Sequence, residues 1–379
     1  MPKTDNSKMP LLPTFASNSV PNRNQILSYL VAAGKQAPSW YNCQPWKFLV
    51  IENHIDILMD NDRDQSFYNW GNFNTLLSSG AVIKNILIAA QALGVGADVT
   101  LLPDNANTML VARILIDFEK RSQPSKKDLA LERAIWLRHT NTLLFEKQPI
   151  SESEIQTLQK AIEKDKSLEL YWLTDDKNKE NIYDAVSCAE QIRFSRRDLH
   201  EQLHRMIRWN QKEAFANRTG YTLASMGACI FGKSFFWLTK SWRVMCLMNK
   251  LGAYKSQAQR ACVGLKHCGA VGALTVEESS PKGLLSAGIG MQSVWLQATL
   301  AGFQVQPHNS MLHFFWSWQK NRLELFDDQE KQILETAWEK FCNIFPSLKN
   351  FKNQQPVFLF RIGKGSPMVG HTLRETAMG

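Results

Sequence analysis

Two apolar segments of this 379-residue chain, residues 78–94 and 286–302, carry the same small-residue punctuation 208 positions apart. Ser78 aligns with Ser286, Gly80 with Gly288, Ala90 with Ala298 and Gly94 with Gly302. Only 4 of the 17 aligned positions are identical, but the apolar positions track, and both segments end in a Gly near a following strand. Two ordinary buried helices with small-residue starts fit that pattern; so does one duplicated unit whose halves pack as a pseudo-dimer. The second reading constrains the fold more tightly. It turns a length that first suggests roughly two domains into a single dimer-like body plus an insert.

Around these segments the patterning predicts an α+β chain with mixed sheets. A helix runs over 22–36 and ends before Pro38, followed by strands at 47–51 and 55–60, a helix over 73–93, and strands at 98–102 and 109–117. Residues 123–149 are charged, end near a Pro and read as a join. Ser151-Glu152-Ser153-Glu154 opens the next helix with a capping-box pattern. A strand at 168–173, helices near 179–193 and 197–210, a buried strand at 269–277, a helix over 286–301 and a last strand at 356–362 complete the expectation. The division is therefore a flexible N-terminal arm (1–21), a first half (22–122) and a second half (123–379). Within the second half, 220–256 is long, apolar, aromatic and Gly-punctuated, with no counterpart in the first.

Composition removes several classes. Hydrophobic content of 44% and charged content of 21% are globular values, and no run reaches the ~18 uncharged apolar residues of a spanning helix. The best candidate, 231–251, is interrupted by Lys233, Lys240 and Arg243. The N-terminus lacks an apolar signal core, which predicts a cytoplasmic location. Seven cysteines without paired spacing fit reduced thiols. The net charge of +9 invites a polyanion, but the cations are dispersed, and the densest stretch, 193–208, also holds Asp198 and Glu201. Nucleic acid is excluded as the expected partner; a smaller phosphate stays open.

His200-Glu201-Gln202-Leu203-His204 is a formal zinc-protease string, which on a helix puts two imidazoles on one face with a Glu as base. A third ligand is missing. Ile207 and Asn210 stand where the metzincin Gly and His would be, no acid lies between Glu213 and Glu277, and four arginines flank the string. A zinc hydrolase is kept as the third hypothesis, with no metal assigned. Cys262, His267 and Cys268 are a weaker signal, and Cys43 has no evident partner His. Dinucleotide-fold, P-loop and hydrolase-elbow motifs are absent.

The stretch Ala37-Pro38-Ser39-Trp40-Tyr41-Asn42-Cys43-Gln44-Pro45-Trp46 sets two prolines, a hydroxyl and two amides in one short loop between a helix and a strand. Either it is a structural turn, or it presents polar groups to a planar heterocycle and its polyol. It resembles the A-P-S-x-x-N-x-Q-P-W signature of the nitroreductase family of FMN-dependent flavoproteins. Three further elements resemble the family in order: the Ser79-Gly80-Ala81 helix through Gly94, the Arg138-His139-Thr140-Asn141 phosphate element, and Arg361-Ile362-Gly363 through Arg374. Finding the A-P-S signature in the first half and the Arg element in the second is similar to the Acg-like branch, in which one chain fuses two half-units. The resemblance implies a nitroreductase-like fold and one composite FMN site per chain.

It also implies roles. Arg138, Thr140 and Arg374 would hold the FMN phosphate, while Pro38, Ser39 and Asn42 would line the isoalloxazine and ribityl edge. Gln44 would be a supporting hydrogen bonder and Trp46 a core residue. NAD(P)H would be the transient donor, passing hydride through the flavin to a small-molecule acceptor, with no catalytic protein acid or base. Many members carry Arg or Lys where this chain has Thr142, and loss of that cation disfavours the reduced flavin. An FMN-sequestering protein with little reductase activity is therefore the second hypothesis. The 220–256 insert is read as a lid, or as a hairpin for a membrane surface or partner. Peripheral membrane contact is allowed, and the chain is expected as a pseudo-dimeric monomer or a homodimer.

Overall fold

Asn22 caps the first helix, α1 (Arg23–Gly34), by accepting the Asn24 amide at 3.0 Å. The computed structural model describes residues 22–227, 230–319, 323–348, 354–368 and 372–376; the expected arm over 1–21 lies outside them. After α1 come β1 (Trp46–Ile51), β2 (His54–Met59), α2 (Phe73–Ala92), β3 (Val95–Leu101) and β4 (Leu110–Arg121). These strands form an antiparallel sheet in the order β1-β2-β4-β3. The helix α3 (Lys126–Leu137) follows, closed by a Ser125/Asp128 capping box. The expected join over 123–149 therefore contains a helix that packs against α2.

The remaining elements are α4 (Glu152–Gln159), β5 (Leu168–Leu173), α5 (Asp176–Ser195), α6 (Arg197–Met206), β6 (Ile207–Arg208), α7 (Gln211–Asn217) and β7 (Tyr221–Thr222). Then come α8 (Ile230–Leu238), α9 (Trp242–Lys250), α10 (Ala253–Cys262), β8 (Ala270–Val276), α11 (Pro281–Leu300) and β9 (Gln304–Pro307). The chain closes with α12 (Ser310–Gln319), α13 (Asp328–Ile344) and β10 (Gln355–Gly363). A second antiparallel sheet has the order β5-β8-β10-β9. Numbered within its own half, each sheet runs first, second, fourth, third, and in each half a long helix, α2 or α11, joins the second strand to the third.

The two long helices cross at their glycines. A Cβ on Gly80 would lie 2.2 Å from the Leu285 carbonyl oxygen, and one on Gly288 would lie 2.1 Å from that of Leu77. Leu77 and Leu285 are themselves 208 apart, so the crossing is two-fold, as in an isologous dimer interface. Both helices also stop on a left-handed glycine, Gly94 (φ +67°) and Gly302 (φ +80°). The fold is thus α+β, built from two half-units around a shared helix pair.

Several expectations shift. The helix expected over 197–210 ends at Met206, where the chain turns into the short parallel pair β6–β7. Helix α11 begins at Pro281, earlier than expected, with Ser280 as its cap. The segment 67–92, which includes α2, is apolar and long enough to cross a membrane, but 89% of its most apolar window is buried in the core. Among the described residues Cys43, Cys188, Cys246, Cys262 and Cys268 are free thiols.

Candidate cofactor site

The loop between α1 and β1 is held in a costly shape. Tyr41 (φ 51°), Asn42 (φ 53°) and Gln44 (φ 54°) are all left-handed without being glycine. Their side chains and neighbours fix that shape. The Gln44 amide donates to Ser39 Oγ at 2.9 Å, and Gln44 Nε2 donates to the Arg218 carbonyl at 2.8 Å. Asn42 Nδ2 donates to the Leu373 carbonyl at 2.9 Å. Pro38 and Ser39 are half-buried, Asn42 is buried, and Trp46 lies in the core.

The C-terminal tail brings Arg374 to this loop. Arg374 Nη1 donates to Asn42 Oδ1 at 2.6 Å and to Thr372 Oγ1 at 2.9 Å, while its Nη2 reaches the Gln36 carbonyl at 3.4 Å. Arg138, at the end of α3, donates to the same Gln36 carbonyl at 3.2 Å, and its guanidinium stacks 4.6 Å over the Trp295 ring of α11. Two cations from distant parts of the chain therefore converge on one carbonyl oxygen, and among the described residues neither has a carboxylate partner. Arg138 Nε and Nη1 and Arg374 Nε are buried with no acceptor among the described residues.

Burial, reinforced by the charge of Arg374, pushes the Arg138 guanidinium down to about 9. Burial also pushes Arg374 down, to about 10, against a smaller opposite pull from Tyr221. Both are still cations at neutral pH, so the fold carries two desolvated positive charges side by side. Thr140 stands two residues beyond Arg138, exposed, with its backbone in a parallel bridge to Val305. Asn42, Arg138 and Arg374 are thus gathered and Pro38 and Ser39 share the loop of Asn42, while among the described residues Thr140 is tied to Val305 and not to this group.

The tail and the start of the insert cover this site. Glu375 pairs with Arg63 at 2.6 Å, and its amide donates to Gln44 Oε1 at 3.0 Å. Arg218 donates to the Arg374 carbonyl at 3.0 Å, adding a third cation. Gly227 (φ +67°) sits so close to Thr142 that a Cβ there would lie 2.4 Å from Thr142 Oγ1, and Met368 Sδ lies 4.0 Å from the same oxygen. Arg361 is an internal strut: fully buried, it donates to Gln306 Oε1 at 2.7 Å and to the Leu143 carbonyl at 2.5 Å, fixing the chain just beyond Thr140.

Sequence reasoning passed over Gln36, Trp295 and Arg218. Gln36 acts through its backbone carbonyl, which carries no residue-type signal; Arg218, whose carbonyl accepts from Gln44 and whose guanidinium reaches Arg374, stands in the sequence as one dispersed cation among many, and Trp295 looks like any buried aromatic. On α6, the His200 and His204 rings stack 4.0 Å apart, and Glu201 pairs with Arg197 at 2.7 Å. No group of three or more potential metal ligands occurs among the described residues. Burial, then the Asp64 charge, raises the Cys43 thiol well above its ordinary range, the reverse of what a nucleophile needs.

No family model matches the chain. A stretch of 135 residues is 27% identical to Acg of Mycobacterium tuberculosis, a candidate NAD(P)H nitroreductase found with the same match in two strains. That stretch is 35% of this chain and 40% of the relative's length. Among solved structures, the FMN-dependent nitroreductase NfnB of Mycobacterium smegmatis, in complex with NADPH, aligns with TM-score 0.38 and 12% identity over 65% of this chain and 94% of its own. A candidate nitroreductase of Anabaena variabilis aligns with TM-score 0.44 and 10% identity over 92% and 90%. Over that stretch the chain is similar to Acg, and its A-P-S-type loop and the Arg element that follows it resemble those of the nitroreductase family.

Proposed function

We propose that this chain binds FMN in one composite site and is a nitroreductase-like oxidoreductase, passing reducing equivalents from NAD(P)H to a small acceptor. The observation that carries the reading is the pair Arg138 and Arg374, the first buried and the second half-buried, adjacent and, among the described residues, without a carboxylate. Such a pair destabilises a protein unless an anion completes it. A phosphate monoester fits the donors present: Arg138 Nε and Nη1 and Arg374 Nε are the unfilled N–H groups. When bound, FMN would supply two-electron redox chemistry between donor and acceptor. The protein's own work is to hold the phosphate, to orient it through Asn42, which braces Arg374, and to exclude water with the tail and the 218–227 turn. Pro38, Ser39 and Thr140 remain assigned to the rim of the same site.

The proposal extends to organisation. The halves divide at 22–122 and 123–379, the chain acts as its own pseudo-dimer, and it works in the cytoplasm. A second reading, an FMN-sequestering protein of low turnover, is favoured by Thr142. Where a cation would aid reduction there is a hydroxyl, and Gly227 and Met368 lie against it.

Purified protein should be yellow and release one FMN per chain on denaturation. Colourless protein that cannot take up FMN sinks both readings. Arg138→Ala should weaken FMN about 30-fold or more, the cost of removing one side of a buried charged contact; unchanged affinity removes the phosphate assignment. The pH dependence has a definite sign. Binding needs protonated arginines, so affinity should fall as pH rises above about 9, where Arg138 of the free protein loses its proton, by up to about tenfold per pH unit. Anaerobic NADH or NADPH separates the two readings, because only the enzyme bleaches its flavin at a useful rate.

A further inference from the structure

We infer that the α8–α9 hairpin is a docking surface for an anionic phospholipid bilayer. One face of the hairpin is firmly seated on the body of the protein. Trp242 lies 5.3 Å from the His200 ring, Phe236 6.4 Å from the His204 ring, and Met245 is buried. Asn249 Nδ2 donates to the Phe194 carbonyl at 2.8 Å. The opposite face is built differently. Trp237 is 74% exposed, Leu238 57%, Leu247 64% and Leu251 87%, values far above those of core-forming residues.

Their spacing makes two stripes: 233, 237 and 238 on α8, and 243, 247, 250 and 251 running along and just past α9. The only charges interleaved with these apolar residues are positive. Lys233, Lys240, Arg243, Lys250 and Lys255 are all exposed, and no Asp or Glu occurs anywhere from Ala214 to Val276. Charge complementarity therefore selects an anionic partner, and it disfavours a second copy of this chain, whose matching face would bring like charges together.

The chemistry also selects a bilayer over a folded protein. A Trp beside leucines, framed by long cationic side chains, is the composition of a helix lying in the headgroup region: the apolar groups enter the acyl boundary while Lys and Arg stay with the phosphates. Spanning is ruled out by length. Each nine-residue helix is about 13 Å long, against a hydrocarbon core of about 30 Å. The hairpin lies on the membrane and does not cross it. Because it rests on α5 and α6, and the turn over Thr142 belongs to the preceding residues, this inference stands apart from the FMN reading.

The test is co-sedimentation of the full-length protein with phosphatidylcholine vesicles, with and without phosphatidylglycerol. The protein should pellet with the anionic vesicles only, and high salt should release it. Lys233→Gln or Arg243→Gln should each weaken binding about five-fold. Trp237→Ser with Leu251→Ser should weaken it at low salt, where the cations are intact. These residues are exposed, so each variant should keep the parent's circular dichroism, and the Lys233→Gln variant should keep its FMN content. The inference is overturned by absence of pelleting, by equal pelleting with neutral vesicles, or by pelleting that ignores all four substitutions. It is also overturned if the same substitutions abolish a dimer seen by sedimentation velocity without vesicles.

Discussion

The two sheets share a strand order but not an environment. In the second half, every residue of β8 is buried, as is β10 from Pro356 onward, because α12 lies on β10 and α5, α10 and α13 pack around it. In the first half, one face is left open: Leu49, Ile51 and Leu115, which share it, are each about half exposed. The extra helices of the second half thus form an added layer that the repeated unit does not require. What the halves need in common is the α2–α11 crossing, and what divides them is the site, with the strained loop on one side and Arg138 and Arg374 on the other. A duplicated body keeps its interior symmetric and lets its surfaces diverge.

The largest expected effect lies at the symmetric point. Gly80→Val and Gly288→Val each drive a side chain into the facing helix's backbone, which cannot move aside as a flexible side chain would. Each should cost about 3 kcal/mol or more, read as a lowered urea midpoint or loss of soluble protein. Gly302→Ala is the control, since nothing lies within 4 Å of its added Cβ, and only its positive φ should cost, about 1 kcal/mol. If Gly80→Val and Gly288→Val differ several-fold in effect, the two-fold equivalence of the crossing is broken.

A middle-sized effect is expected where the symmetry fails. Gln292 Nε2 donates to Asn85 Oδ1 at 2.8 Å, and Asn85 Nδ2 donates to the Ala33 carbonyl at 3.0 Å, all buried. The repeat would set Ser293 opposite Asn85 and Lys84 opposite Gln292, so this link has no mirror image. Asn85→Leu leaves the buried Gln292 amide unpaired and takes one of the donors from the Ala33 carbonyl, which keeps the Gln36 amide, and should cost about 2 kcal/mol by equilibrium unfolding. Adding Gln292→Met should recover part of that loss, because the orphaned amide is removed with its partner. A double variant no better than the single one would show that α2 and α11 are not joined through this pair.

The strands and capped helices that pattern reasoning reads well were the legible part of the fold. The strand expected at 168–173 has those same bounds, and the capping box at Ser151 opens α4 as expected. Helix α12 was invisible for a physical reason: residues 310–317 are buried all round, so there is no polar face to give a 3.6-residue period. The helix α3 inside the charged 123–149 segment was hidden by its exposed side chains, although Ser125 and Asp128 carried its start. Of the candidate site, the motif residues were readable and their joint was not. That Arg138 and Arg374 meet at Gln36 depends on the path of the tail, which has no periodicity to read.

The smallest effect tests the comparison itself. Val271 in β8 is fully buried, so Val271→Thr places a hydroxyl where no water reaches and should cost about 1–3 kcal/mol. Leu49 in the edge strand β1 is half exposed, so Leu49→Thr keeps a good strand former at a solvated position and should change stability by about 0.5 kcal/mol or less. Both variants are read from urea midpoints of the same full-length protein, at several protein concentrations. A Leu49→Thr cost as large as that of Val271→Thr, growing with concentration, would mean that the open face of the first sheet is covered in solution by a second molecule. The first half would then be completed from outside, as the second half is completed by its own added helices.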